Sequence, residues 1–404
     1  MEFIFSLTPF ILDWLDLVVR WIHIIVGIAW IGTSFYFNWL DSRLDRDLKD
    51  EKIDGELWSV HSGGFYHINK LKGPPTTFPK ELHWFKWEAY STWISGFVLL
   101  VLVYYLNAES IMIDKNINDI NVSTAIIISL SFLIGSWLIY DFLCKSRLIN
   151  NTILFTIIGF SLATLISFFL TKIYGSRAAY IHVGACIGTI MAANVFYVII
   201  PSQKNMVNAA LSNQNPDLKK GVAAKVRSIH NNYLTLPILF IMISSHFPFT
   251  YGHKYNWLIL AILSIIGASV RHYFNLRNKK KYNVWILPFA AIGMICLMLY
   301  VSLPKTAKTL TTVKSQKINF FEIENIIKYR CSVCHANKPT FDGFEEAPLG
   351  IVFETPEDIV KHINTIKAQV IDSDIMPPGN LTGITESERN KIKIWIESGA
   401  NINN

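Results

Sequence analysis

With 404 residues the chain has room for two or three domains. Just over half of its residues are apolar and 17% are charged, against about 25% charged in a typical soluble domain. That deficit excludes a disordered chain and argues against an ordinary cytosolic enzyme. The net charge of +7 is unevenly placed: residues 1–320 carry +12 and residues 321–404 carry −5. The lysines and arginines of the first part sit in short loops between apolar spans. Membrane topology accounts for them, and no nucleic-acid motif accompanies them.

Eight apolar spans follow one another at about 14–40, 91–107, 122–143, 152–173, 178–200, 233–247, 256–275 and 284–303. Most approach the ~20 residues that cross a bilayer; 91–107 and 233–247 are marginal. Glu2 and the length of the first span argue against a cleavable signal peptide. Loops 41–90, 144–151, 201–232 and 276–283 hold 19 Lys and Arg, while loops 108–121, 174–177 and 248–255, with Lys172, hold 4. The positive-inside rule puts the first set in the cytoplasm and both chain ends outside. In a bacterium that means the inner membrane, with both ends in the periplasm. The expected fold is all-α: a polytopic membrane bundle over 1–303, a flexible tether over 304–320 and a small soluble helical domain over 321–404. Helical patterns in the last part fall at 321–330, 355–368 and 385–398.

That domain carries the strongest motif. Cys331-Ser-Val-Cys334-His335 is the CxxCH signature of covalent haem attachment. Two thiols one turn apart can each bond a porphyrin vinyl group, and the adjacent imidazole then reaches the iron. A zinc half-site would need a second Cys/His cluster, and only His362 remains here. Met376, in Ile-Met-Pro-Pro-Gly, is the expected sixth ligand, because proline restrains the loop that must present the thioether. His/Met ligation raises the haem potential and favours accepting electrons. Trp395 on the last helix is expected to pack near Phe321 and Tyr329. The region resembles cytochrome c along its whole length, and haem attachment in that family occurs outside the cytoplasm.

The first span places Asp13, Asp16, Arg20, His23, Gly27, Trp30, Ser34, Asn38 and Asp41 on one stripe. Such a stripe faces a bundle interior. Arg20 is expected to pair with Asp13 or Asp16. His23, with Gly27 one turn on, leaves room for a flat macrocycle; a histidine bonded between helices is the plainer alternative. In the fifth span His182 heads a face of Ala185, Cys186, Thr189 and Ala193, which also suits close helix packing. Two of His23, His182 and His246 are candidate ligands of a haem b in the membrane part. Toward the cytoplasm lie His61, His67, His83, Glu88, His230, Asn231, Asn232, Arg271 and His272. The segment from Trp58 to His67 is too apolar for a solvated loop, and Gly63-Gly64 permits close approach of another group.

Taken together, several stretches resemble the bacterial membrane-bound urate oxidases (urate hydroxylases) that carry a C-terminal cytochrome c domain. They are Arg20-Trp-Ile-His23 with Gly27-Ile-Ala-Trp30-Ile-Gly32 and Phe35-Tyr36-Phe37, Val60-His61 with Gly63-Gly64-Phe65-Tyr66-His67, His83-Trp-Phe-Lys-Trp-Glu88, His182-Val-Gly-Ala with Gly188-Thr and Met191-Ala-Ala-Asn194, and His230-Asn-Asn-Tyr233. Ser62 departs from the pattern, where a third glycine is expected. The resemblance implies oxidation of urate to 5-hydroxyisourate, with electrons leaving through haem c to a respiratory cytochrome or oxidase. It makes Arg20, His23, His61, His67, His182 and His230 candidate catalytic residues. The first span also looks distantly like that of haem-dependent membrane protoporphyrinogen oxidases, an analogy that favours a haem at His23.

On the urate reading that the resemblance implies, Arg20 or Arg271 could pair with the anion, and a neutral histidine could accept a proton. Two rivals share the haem motif. One is a relay taking electrons from quinol without urate chemistry. The other is a transporter with an attached redox sensor, against which stands the lack of matching Pro/Gly-broken spans.

Overall fold

The computed structural model describes residues 2–75, 77–302, 318–341, 346–372 and 375–402, so residues 304–317 of the expected tether lie outside the described residues. Among the described residues the fold is all-α apart from one hairpin. In chain order it comprises α1 (Glu2–Arg43), β1 (Ile53–His61), β2 (Gly64–Leu71), α2 (Trp87–Leu99), α3 (Val122–Lys145), α4 (Thr152–Ile173), α5 (Ser176–Ala193), α6 (Ile200–Leu211), α7 (Leu218–Ser244), α8 (Pro248–Tyr251), α9 (Asn256–Asn278) and α10 (Ile286–Ser302). The C-terminal unit follows with α11 (Phe320–Arg330), α12 (Pro356–Lys361), α13 (Ile363–Ile366) and α14 (Glu386–Glu397). π-helical turns extend α2 through Leu100–Tyr105 and join α5 to α6 through Asn194–Ile199.

Among the described residues, six helical stretches are long and apolar enough to cross a membrane, and Ile286–Ser302 is a shorter apolar helix. The expected span 233–247 is the apolar half of α7, whose first half carries Lys219, Lys220, Lys225 and Arg227. Large apolar side chains such as Trp21, Ile127, Phe142, Ile153 and Phe289 face outward, a surface compatible with a lipid environment.

Local sequence sets the helix limits. The side chains of Asn121, Asn151 and Asp217 accept backbone N–H groups at the starts of α3, α4 and α7. Thr355 with Asp358, and Thr385 with Glu388, form reciprocal capping boxes before α12 and α14. The helix α5 is the hub, packing against α2, α3, α4 and α7. Its fully buried Ala178, Ala179 and Tyr180 meet Met112, Leu170 and Tyr174 in the main core. A methyl group at Gly184 would lie 2.6 Å from Ile241 Cγ2, so only glycine lets α7 approach this closely. Gly184→Val should destabilise the fold by about 1–3 kcal/mol through overpacking. A lowered melting temperature in detergent, partly restored by adding Ile241→Ala, checks this.

The Trp58–His67 segment, too apolar for a solvated loop, lies in a hairpin. β1 and β2 pair antiparallel, with Trp58 opposite His67 and Val60 opposite Phe65. Ser62 and Gly63 form the two-residue turn with φ of 49° and 77°. Left-handed backbone at both positions is the geometry that matches strand twist in tight hairpins. Gly63 therefore supplies the left-handed backbone that the turn requires.

The loops gather at two ends. At one end Lys70 and Lys225 both reach Asp41, and Arg43 donates to the Arg277 carbonyl at 3.2 Å. At the other end Gly175 donates its backbone N–H to the Met112 carbonyl at 2.9 Å, and α8 lies against α5. These are the same two sets that the Lys/Arg counts separate. The C-terminal unit sits at the second end. Asn380 Nδ2 donates to Asn116 Oδ1 at 3.1 Å, and Ile375 packs against the main core.

Candidate functional site

The sequence-derived histidines occupy separate places. His23 lies where α1 packs on α2, with Nδ1 2.9 Å from Ser95 Oγ. Its ring is accommodated by Gly96, where a methyl group would stand 3.0 Å from His23 Cε1. Gly27, by contrast, has only Thr92 near its position. His182 is fully buried. It sits beside Tyr104 and Tyr174, with ring centroids 5.9 and 4.7 Å away. Its Nδ1–H donates to the Ala178 carbonyl at 2.7 Å, so Nε2 carries the lone pair of the neutral ring, and that atom has no partner among the described residues.

His23 neighbours Ser95 and His182 neighbours Tyr104, nine positions further along the same helical stretch. At the usual helical rise this is about 13 Å, whereas two imidazoles on one metal stand about 4 Å apart. The structure thus puts His23 and His182 at different depths. His246 lies in the turn after α7. Arg20 pairs with Asp16 at 2.8 Å, one turn away on the exposed face of α1.

The cluster expected toward the other end divides into three. On the exposed hairpin, His67 stacks on Trp58 and its Nε2 lies 2.9 Å from Glu56, while His61 Nδ1 lies 2.7 Å from Ser62 Oγ. His83 stands 3.9 Å from Glu88. The three histidines meet partners close in the chain, while Glu88 lies in the first turn of α2 with a buried carboxylate oxygen.

A second group surrounds the buried Arg227, which sequence reasoning missed. Arg227 donates to Asp141 at 2.7 Å and to Asn194 Oδ1 at 3.1 Å. Asn194 in turn donates to Asn231 Oδ1 at 2.8 Å, and Asn231 donates to the Met191 carbonyl at 3.0 Å. Tyr140 OH lies 2.8 Å from His230 Nδ1, and Phe155 stacks on that imidazole. The signal was present in the sequence: an aspartate at the end of an apolar span needs a cation inside the bundle.

A third group lies on the neighbouring face of α7, against α1 and α9. Asn232 Oδ1 accepts from Arg271 Nε at 2.9 Å and from Asn275 Nδ2 at 2.8 Å. The Arg271 guanidinium lies 3.6 Å from the centroid of the Phe35 ring. Tyr233 OH stands 2.7 Å from His272 Nδ1. Asn275 and Phe35 complete this group and were not among the predicted site residues.

In the C-terminal unit, Cys331, Ser332, Val333, Cys334 and His335 form the turn after α11. His335 Nδ1 lies 2.9 Å from the Ile351 carbonyl, a bond that turns Nε2 outward as an acceptor. Metal-bound histidines are oriented by this kind of bond. The Met376 backbone is fixed from both sides: its N–H donates to the Gln369 carbonyl at 3.0 Å, and its carbonyl accepts from Arg389 at 3.0 Å. Cys331 and Met376 both border the unit's apolar core. The donor set therefore fits a haem c. Among the described residues no group of three or more His, Cys, Asp or Glu forms a metal cage; a haem needs only two axial ligands.

Trp395 packs against Phe320, with ring centroids 5.6 Å apart, while Phe321 and Tyr329 are exposed. This corrects the expected partners: on α11 the inward face carries Phe320, Ile323 and Ile327. Glu388 ties α14 to the residue before the first cysteine, accepting from Arg330 at 3.1 Å. Burial works to raise the Glu388 carboxyl, but bonds from the Thr385 backbone and Arg330 outweigh it and hold the group below its ordinary value. A depressed carboxylate stabilises the fold above its unfolded pKa and loses that contribution as pH falls through the folded value. Glu388→Gln should therefore flatten the acid side of the unit's stability profile below about pH 5, as read by thermal melts across pH.

The family model for the N-terminal part of urate oxidase matches residues 9–302. No curated protein and no solved structure matches the chain.

Proposed function

Since the chain belongs to the urate oxidase N-terminal family, we propose that it oxidises urate within a membrane-spanning helical bundle and delivers the electrons to a haem c on its C-terminal unit. The family match over most of the bundle carries this reading. Urate and one water become 5-hydroxyisourate, releasing two electrons and two protons. The expected setting is a bacterial inner membrane, with the Lys/Arg-rich loops in the cytoplasm and the C-terminal unit in the periplasm. A respiratory cytochrome or oxidase is the final acceptor.

Cys331 and Cys334 would hold the haem by thioether bonds, and His335 and Met376 would bind its iron. When bound, it supplies a one-electron acceptor whose potential is raised by the thioether ligand. The chain's own residues prepare this site. The Ile351 carbonyl orients the His335 imidazole, and Gln369 and Arg389 fix the Met376 backbone. Seating of the Pro378–Asn380 turn beside Ala108–Met112 supports electron exit at that end of the bundle. Within the bundle, His182 keeps an unprotonated Nε2 and His23 and His230 sit on hydroxyl partners, so each is a candidate proton acceptor.

The test is an anaerobic titration. Oxidised full-length protein in detergent should show reduction of a c-type absorption band on adding urate. A band that stays oxidised with urate but is reduced by quinol would overturn the proposal in favour of the relay.

A further inference from the structure

Two N–H donors in the third group have no partner among the described residues: Arg271 Nη2 and Asn232 Nδ2. Both residues are nearly fully buried, at 5% and 1% exposure. Turning the Asn232 amide gives no relief. Its Oδ1 already accepts from Arg271 Nε and Asn275 Nδ2, and reversing the amide would set three donors against one another. The Arg271 Nε–H, which can only donate, thus fixes the direction in which the free Asn232 N–H points, and Asn275 adds a second bond to the same oxygen.

The Arg271 charge is also unopposed. Among the described residues no carboxylate forms an ion pair with it, in contrast to Arg227, which holds Asp141. Its nearest aromatic neighbour is Phe35, which covers the guanidinium at 3.6 Å. Buried donors are nearly always satisfied, and a buried cation is nearly always paired. Two side chains already bonded to each other that still present two free N–H groups and a positive charge ask for an anion with neighbouring acceptors.

We infer that Arg271 and Asn232 form the recognition edge for a planar oxopurine anion, which for this chain is urate. The inference rests on the urate reading above. A guanidinium and an amide side by side match adjacent carbonyl and deprotonated ring-nitrogen acceptors on one edge of the purine. Asn275 is a positioning residue, acting through Asn232. Phe35 lies against the guanidinium at 3.6 Å and supports it from the α1 side.

Equilibrium binding of radiolabelled urate to the full chain in detergent tests this. Asn232→Asp replaces a donor by an acceptor and should weaken binding at least tenfold. Arg271→Lys keeps the charge but loses the fork, and should weaken it similarly. Both variants should keep the haem spectrum and a melting transition near that of the parent. If the variants bind urate as the parent does, the site is overturned and the urate reading stands. If the parent itself binds no urate, the urate reading falls and the site falls with it. Should the variants not fold, hydrogen–deuterium exchange on the unmutated chain decides. Urate should slow exchange in peptides covering 229–236 and 268–276. Slowing confined to 176–186, around His182, would overturn the assignment.

Discussion

Changing Cys331 and Cys334 together to alanine should abolish urate-driven electron transfer while leaving urate binding intact. The covalent haem stain on a denaturing gel should vanish, and turnover should fall at least about 100-fold, the upper range for disabling the surroundings of a metal group. Met376→Ala should act differently. It leaves both thiols and His335 in place, so the haem stays attached, but its potential drops and turnover slows. A redox titration separates the two outcomes. An unchanged potential in Met376→Ala would mean that another side chain holds the sixth position. The Pro377 carbon skeleton and the bonds to Gln369 and Arg389 remain in that variant, so the loop keeps its course and the effect reports on the sulfur.

Replacing Arg227 by methionine should be the most damaging single change to the bundle. It strips Asp141 of its buried partner at 2.7 Å and leaves the Asn194 amide oxygen without its donor. Breaking such a pair from one side costs about 3–5 kcal/mol. The lower end applies, because Lys145 still reaches Asp141 at 2.6 Å. Detergent melts of Arg227→Met should show a large fall, and Arg227→Met with Asp141→Leu should recover much of it. No recovery would show that Arg227 matters for its packing over Trp137 and Tyr140 and not for its charge.

Much of the helical layout was legible because long apolar runs admit few other structures. Loop charge also sorted the connections into the two groups that the structure assembles. The CxxCH motif was legible because its residues are adjacent in the chain. The hairpin over 53–71 escaped, although Ser62-Gly63 between alternating apolar residues is a turn signal, because its large side chains stay exposed. The polar groups inside the bundle were less legible still. His230, Asn231, Asn232 and Tyr233 are consecutive, and the sequence gives no hint that they serve two separate networks. At 100° per residue, neighbouring positions on a helix face different helices. Which of them meets Asp141 and which meets Arg271 depends on the rotation of α7, and that is fixed by packing at Gly184 and Ile241.

One property of α7 follows from Pro237. A proline inside a helix has no N–H to give to the carbonyl four residues earlier, here that of Tyr233. The turn from Asn231 to Tyr233 is thus the least self-supporting part of the helix backbone, yet it holds the most heavily bonded side chains. Its stiffness is borrowed from α5 and α9 through amide groups and is not intrinsic to the helix. Each amide acts as a guy-line on a mast with a weak joint. The amides of Asn231 and Asn232 brace this joint from opposite sides, toward α5 and α9, across a single peptide bond.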